Sequence, residues 1–178
     1  MLYYLHGYQS SPMGQKATLF KETLHAIPIT YRENAPEDLV ISRCLSQISE
    51  AITQDSQVVL IGSSLGGFLA ASTALTHPNV TQLILLNPAI IPPEQDLTTI
   101  TGMPLRILQD MRDSRLFHQK IPARITILRG THDVIVPDKW VINFVKAQNA
   151  IIQFFDDDHQ FSKNLYKLPK IISELIQK

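Results

Sequence analysis

The residues best suited to chemistry lie in Val58-Val59-Leu60-Ile61-Gly62-Ser63-Ser64-Leu65-Gly66-Gly67-Phe68. An apolar run of strand length leads into Gly-x-Ser-x-Gly, and a helix-forming stretch follows. A serine on a sharp strand-to-helix corner has its hydroxyl lifted above the sheet edge. The flanking glycines remove side chains that would collide in so tight a turn. The first N–H groups of the helix then face the place where a carbonyl oxygen would gain negative charge. That is the geometry for nucleophilic attack on an acyl group. Only Ser64 of the doublet has glycine two residues before and two residues after it; Ser63 stands between Ile61 and Leu65. Ser64 is therefore the candidate nucleophile, against the plainer alternative of an ordinary glycine-containing turn.

A serine hydroxyl needs a base, and the base needs an orienting acid. His25 and His77 lie near helix ends and read as surface residues, and His118 falls in a long connection. His159 follows the last apolar run, in Phe155-Asp156-Asp157-Asp158-His159-Gln160-Phe161. A loop there leaves the carboxyl edge of a parallel strand, the same edge that would carry Ser64, so His159 is the candidate base. Asp133, in Gly130-Thr131-His132-Asp133, also follows a buried strand and is the candidate acid. Asp138 is better placed than Asp133 to cap the next helix, which leaves Asp133 free. Asn87, after the fourth strand, has no carboxylate to offer. The run Asp156–Asp158 is expected to favour the cation of a nearby imidazole. Adjacent aspartates rarely converge on one ion, so neither a metal nor any other cofactor is expected.

These side chains must be positioned by the elements around them. Apolar runs of strand length recur at Leu2–Leu5, Ile27–Tyr31, Val58–Ile61, Leu83–Leu86, Ile125–Leu128 and Ile151–Phe155. Most are continuous rather than alternating, as in parallel strands covered on both faces. Between them lie helical stripes, Leu39, Cys44, Leu45, Ile48 and Ile52 in one and Trp140, Phe144 and Val145 in another. Ser11-Pro12 has the cap-then-proline order of a helix start, and Pro169 is expected to bend or split the last helix. The alternation predicts a single α/β domain over 1–178, a six-stranded, mostly parallel sheet with helices on both faces. The long connection at about 88–122 is expected to cap the site. No Lys or Arg occurs between Arg43 and Arg106, which puts the centre of the fold in the middle of the sequence.

Composition narrows the function. With 44% hydrophobic residues and 16 Lys+Arg against 16 Asp+Glu, the 178-residue chain is neither disordered nor a bulk cationic binder of nucleic acid. Cys44 stands alone, so no intrachain disulfide can form. The amino terminus lacks the basic region of a signal peptide, and no apolar stretch approaches the roughly 18 residues of a spanning helix. These features predict a cytoplasmic protein with no nucleic-acid or membrane partner, while the acyl chemistry expected of Ser64 calls for a small-molecule partner. The sequence leaves the oligomeric state open.

The opening loop Leu5-His6-Gly7-Tyr8-Gln9-Ser10-Ser11-Pro12, the Ser64 corner, Gly130 to Asp133 and His159 together resemble the short YqiA-type esterases of the α/β-hydrolase superfamily. The resemblance runs over essentially the whole chain. It implies an α/β-hydrolase sheet reduced to six strands, and hydrolysis of a carboxylic ester or thioester by Ser64, Asp133 and His159. The order nucleophile, acid, histidine is that of the superfamily. It further implies that the backbone N–H groups of Tyr8 and Leu65 bind the oxyanion. A doubly wound sheet points to the same place, because its ligand crevice forms at the switch point beyond the strand ends. The resemblance gives His6 a backbone-holding role. The short 88–122 segment favours small acyl groups, and its basic residues are either a solvated helix face or a site for an anionic substrate. The competing class is a catalytically silent ligand-binding or scaffold protein on the same fold.

Overall fold

The computed structural model describes residues 1–177. Six strands, β1 (Leu2–Leu5), β2 (Ile27–Pro28), β3 (Val58–Ser63), β4 (Val80–Leu86), β5 (Arg124–Gly130) and β6 (Ile151–Phe155), form one sheet in the order β2-β1-β3-β4-β5-β6. Every pairing is parallel. Seven helices connect them: α1 (Gln15–Leu24), α2 (Ile41–Ile52), α3 (Leu65–Ala74), α4 (Leu105–Met111), α5 (Arg115–His118), α6 (Asp138–Gln148) and α7 (Leu168–Ile176).

Strand side chains alternate between two cores. Tyr4, Ile61, Ile84, Leu86 and Leu128 pack with α1 and α7 on one face. Tyr3, Leu5, Leu60, Leu83, Leu85 and Ile127 pack with α2, α3 and α6 on the other. Both sheet faces are thus covered, which explains the unbroken apolar strands. The charge-poor middle of the chain is the centre, as the sequence predicts. All ten residues of α3 are buried, so this helix has no solvent face and no amphipathic stripe.

Local departures from the sequence expectations have physical causes. The run Ile27–Tyr31 yields only two residues of strand, and Pro28 is tolerated there because β2 is the edge of the sheet. Ile29 still donates to the Tyr4 carbonyl (3.0 Å) before the chain leaves the sheet. Ser11-Pro12 builds a turn instead of starting α1: the Ser11 carbonyl accepts from Gly14 N–H at 3.0 Å, and Gly14 is the N-cap. Pro169 sits in the first turn of α7, where its missing N–H costs nothing, and a separate 3₁₀ turn, Leu165–Lys167, precedes it. The connection from β4 to β5 folds as α4, α5 and a 3₁₀ turn, Leu97–Thr99, with Ile107, Leu108, Met111 and Leu116 buried. Among the described residues, no helix is long and apolar enough to cross a membrane.

Candidate active site

Strand β1 lies between β2 and β3, so the chain reverses direction across the sheet at β1 and β3. Leu5 pairs with Gly62, which carries the loop after β1 directly to the corner after β3. A Cβ built on Gly7 would stand 3.4 Å from Ser64 Cβ, so the two segments touch.

The corner holds Ser64 at φ 52° and ψ −117°, a conformation that side-chain-bearing residues rarely adopt. Its surroundings over-determine it. Ser64 N–H donates to the Leu86 carbonyl at 2.9 Å, while the Ser64 carbonyl accepts from Gly67 (2.9 Å), Ala89 (3.0 Å) and Phe68 (3.3 Å). Gly66 makes the corner possible, since a Cβ there would lie 2.1 Å from the Leu5 carbonyl oxygen. From Leu60 through Ala74 every residue is buried except Ser64. Ser63, by contrast, lies in β3 and is buried.

His159 and Asp133 meet at the same rim. His159 Nδ1 lies 2.8 Å from Asp133 Oδ2, with the Asp133 side chain fully buried and that of His159 12% exposed. Burial pushes the Asp133 carboxyl up. The hydrogen bond and charge of His159, with the N–H groups of Val136 and Ile135, outweigh burial and hold it below the usual range. An ionised carboxylate only accepts, so Nδ1 is the donor in this bond, and in the neutral ring Nε2 is the acceptor. Asp133 Oδ1 also accepts from Ile135 (2.8 Å) and Val136 (3.0 Å). The Ser64 hydroxyl makes no hydrogen bond among the described residues, and a Ser64–His159 bond is not formed. Such bonds are often long before substrate arrives.

The Tyr8 and Leu65 amides donate to no protein acceptor among the described residues. Tyr8 is fixed through its carbonyl, which accepts from Arg32 Nη2 at 2.8 Å. His6 holds this loop: its Nδ1 lies 2.8 Å from the Gly7 carbonyl, so that nitrogen is the donor. The ring stacks on Tyr31 at 4.3 Å, and the Tyr31 hydroxyl donates to the His6 carbonyl at 2.8 Å.

Burial, reinforced by the Arg32 charge and opposed by the Gly7 hydrogen bond, brings the His6 pKa from 6.5 down to about 4. The unfolded chain therefore binds this proton at higher pH than the folded one. Stability from His6 is complete above about pH 6.5 and falls by about 1.4 kcal/mol per unit as pH drops toward 4. Urea denaturation at pH 7.5, 6 and 5 should show the decline. His6→Gln should flatten it in that window, and an equal slope in both proteins would refute the assignment.

Two contributors escaped the sequence reading. Arg129, at the end of β5, is 1% exposed. Its Nη1 donates to Asp133 Oδ2 and to Asn87 Oδ1 (3.3 Å), and its Nη2 donates to the Val136 carbonyl (2.6 Å) and Asp138 Oδ1 (2.7 Å). Asp138 accordingly does not cap α6. The N-cap is Pro137, and Asp138 is drawn to the buried cation instead. Asn87 lies just past β4 at φ 43°. The available signal was an arginine closing the apolar run Ile125–Leu128, four residues before an aspartate.

The aspartate run builds its own loop. Asp157 accepts from the backbone of Asp158, Lys163 and Asn164, Asp158 accepts from Gln160 and Ser162, and Asp156 pairs with His132 and Lys163. No group of three metal-ligating side chains occurs among the described residues. The basic residues of the 88–122 segment are also largely committed. Arg106 donates to the Glu37 and Leu39 carbonyls, Lys120 to Ala147, and Arg115 pairs with Asp113. A surface cavity of about 520 Å³ lined by Pro93, Phe117, His118, Asn143 and Lys146 includes none of the candidate residues.

Comparison with solved structures gives the same architecture. Est1E from Butyrivibrio proteoclasticus is 16% identical, with a TM-score of 0.80 over 99% of this chain and 86% of its own. Alpha/beta hydrolase domain-containing protein 10 from mouse is 19% identical, with a TM-score of 0.75 over 99% and 89% of the two chains. The monoacylglycerol lipase of Paleococcus ferrophilus is 14% identical, with a TM-score of 0.74 over 98% and 92%. The fold is that of the α/β-hydrolases. The model of an uncharacterised protein family, UPF0227, matches residues 1–175.

Proposed function

The chain belongs to the UPF0227 family, and from that premise we propose that it is a serine hydrolase cleaving carboxylic esters or thioesters of small acyl groups. The observation that carries this reading is the Asp133–His159 hydrogen bond at the sheet edge that also bears the strained Ser64. The Paleococcus protein, whose name describes a monoacylglycerol lipase, lends it support.

In the proposed reaction, His159 Nε2 takes the Ser64 Oγ proton as Oγ attacks the acyl carbonyl. The Tyr8 and Leu65 amides receive the oxyanion, each worth about 2.7–4 kcal/mol in the transition state. Asp133 stays ionised and stabilises the imidazolium. The tetrahedral intermediate then collapses, His159 protonates the leaving alcohol or thiol, and an acyl-Ser64 remains. Water, deprotonated by His159, attacks that acyl group, and the second tetrahedral intermediate collapses as His159 returns the proton to Ser64 Oγ and the acid leaves. Since Arg106, Arg115 and Lys120 of the 88–122 segment are engaged within the protein, the reading favours uncharged over phosphate-bearing substrates.

A fluorophosphonate probe tests the chemistry directly. Labelling that maps to Ser64 by peptide mass, together with turnover of a graded panel of acyl esters and thioesters that is fastest for short chains, is the expected result. No labelling and no turnover would overturn the enzyme reading in favour of a silent binding protein.

A further inference from the structure

Asn87 connects both halves of the candidate site. Its backbone neighbour Leu86 accepts the Ser64 N–H, and Ala89, two residues on, donates to the Ser64 carbonyl. Its own Nδ2 donates to the carbonyls of Asp158 and His159, both at 3.1 Å. Its Oδ1 accepts from Gly130 N–H at 2.9 Å and from Arg129 Nη1 at 3.3 Å. One fully buried carboxamide therefore ties the histidine loop to the arginine–aspartate pair, while the backbone on either side of it holds the serine corner. A carboxylate of the same shape could not do this, because the two carbonyls need a donor.

We propose that Asn87 is a positioning residue for hydrolysis: its carboxamide sets the placement of His159 relative to Ser64. The proposal rests on the serine-hydrolase reading. It acts through the chain of contacts described, without touching substrate. Position 87 also carries φ 43°, which asparagine tolerates and glycine adopts freely. Asn87→Gly thus removes the clamp while relieving the backbone, and Asn87→Asp keeps the shape while removing the donor.

The test compares wild type, Asn87→Gly, Asn87→Asp and Ser64→Ala, using 4-nitrophenyl acetate, the fluorophosphonate probe, thermal melting and amide hydrogen exchange. Both Asn87 variants should lose roughly 100-fold in kcat, with KM changed by less than about threefold and labelling slowed in parallel, since a small misplacement of reacting groups has that effect. Asn87→Gly should melt several degrees below wild type, because four buried hydrogen bonds are lost, yet stay folded at the assay temperature and exchange amides faster across Asp158–Phe161. A folded Asn87→Gly that keeps kcat within about threefold of wild type, or leaves exchange in that loop unchanged, overturns the proposal. A wild type that neither labels nor turns over, with the loop still loosened by Asn87→Gly, would leave Asn87 a structural residue only. It would remove the positioning role together with the enzyme reading.

Discussion

Ser64→Ala is expected to lower kcat for a short-chain aryl ester roughly a million-fold, the loss seen when a hydrolase nucleophile is removed. Its melting temperature should barely move, because alanine at φ 52° bears the same backbone strain. Ser64→Gly sharpens the distinction. Glycine occupies that conformation without a Cβ penalty, so the variant should be equally inactive and about 1 kcal/mol more stable. Activity lost while stability rises is the signature of a residue kept for chemistry. Turnover within tenfold of wild type in either variant would mean that the nucleophile lies elsewhere.

Asp133→Asn carries the second-largest expected loss, about 10⁴-fold in kcat. Asparagine turns a donor toward His159 Nδ1 and Arg129 Nη1, which are themselves donors. The imidazole then gains by moving its proton to Nε2, and the base is gone. Unlike Ser64→Ala, this change should also destabilise the fold, by about 3–5 kcal/mol, because a buried cation loses its buried partner. Asp138 remains bonded to Arg129, which keeps the loss toward the lower end. Kinetics and urea denaturation on the same preparation would check both parts. An active Asp133→Asn, or one as stable as wild type, would contradict this account.

The strands and the corner were legible because their signals are local. β1 and β6 match their apolar runs residue for residue, and the absence of Lys and Arg around Ser64 announced the buried centre. Ser64, Asp133 and His159 became candidates through what lies next to them, two glycines and two strand ends, and the structure bonds the last two to each other. Arg129 and Asn87 were missed because their roles exist only after distant strands have met. Asn87 acts across 71 positions on Asp158, and nothing near it in sequence needs its amide. Likewise the assignment of Asp138 as a cap followed a sound local rule. The rule gave way to a buried positive charge that the local sequence does not reveal as buried.

A central helix with no wet face has a consequence for how the protein is made. α3 cannot hold itself together as a lone helix in water, and the parallel partners on which it lies, β3 and β4, form slowly. Until they close, Val58–Ile61 and Leu83–Leu86 are naked sticky segments with no lysine or arginine nearby to keep neighbouring chains apart. Refolding of this protein is therefore expected to be a race between docking and clumping, with a yield that rises on dilution.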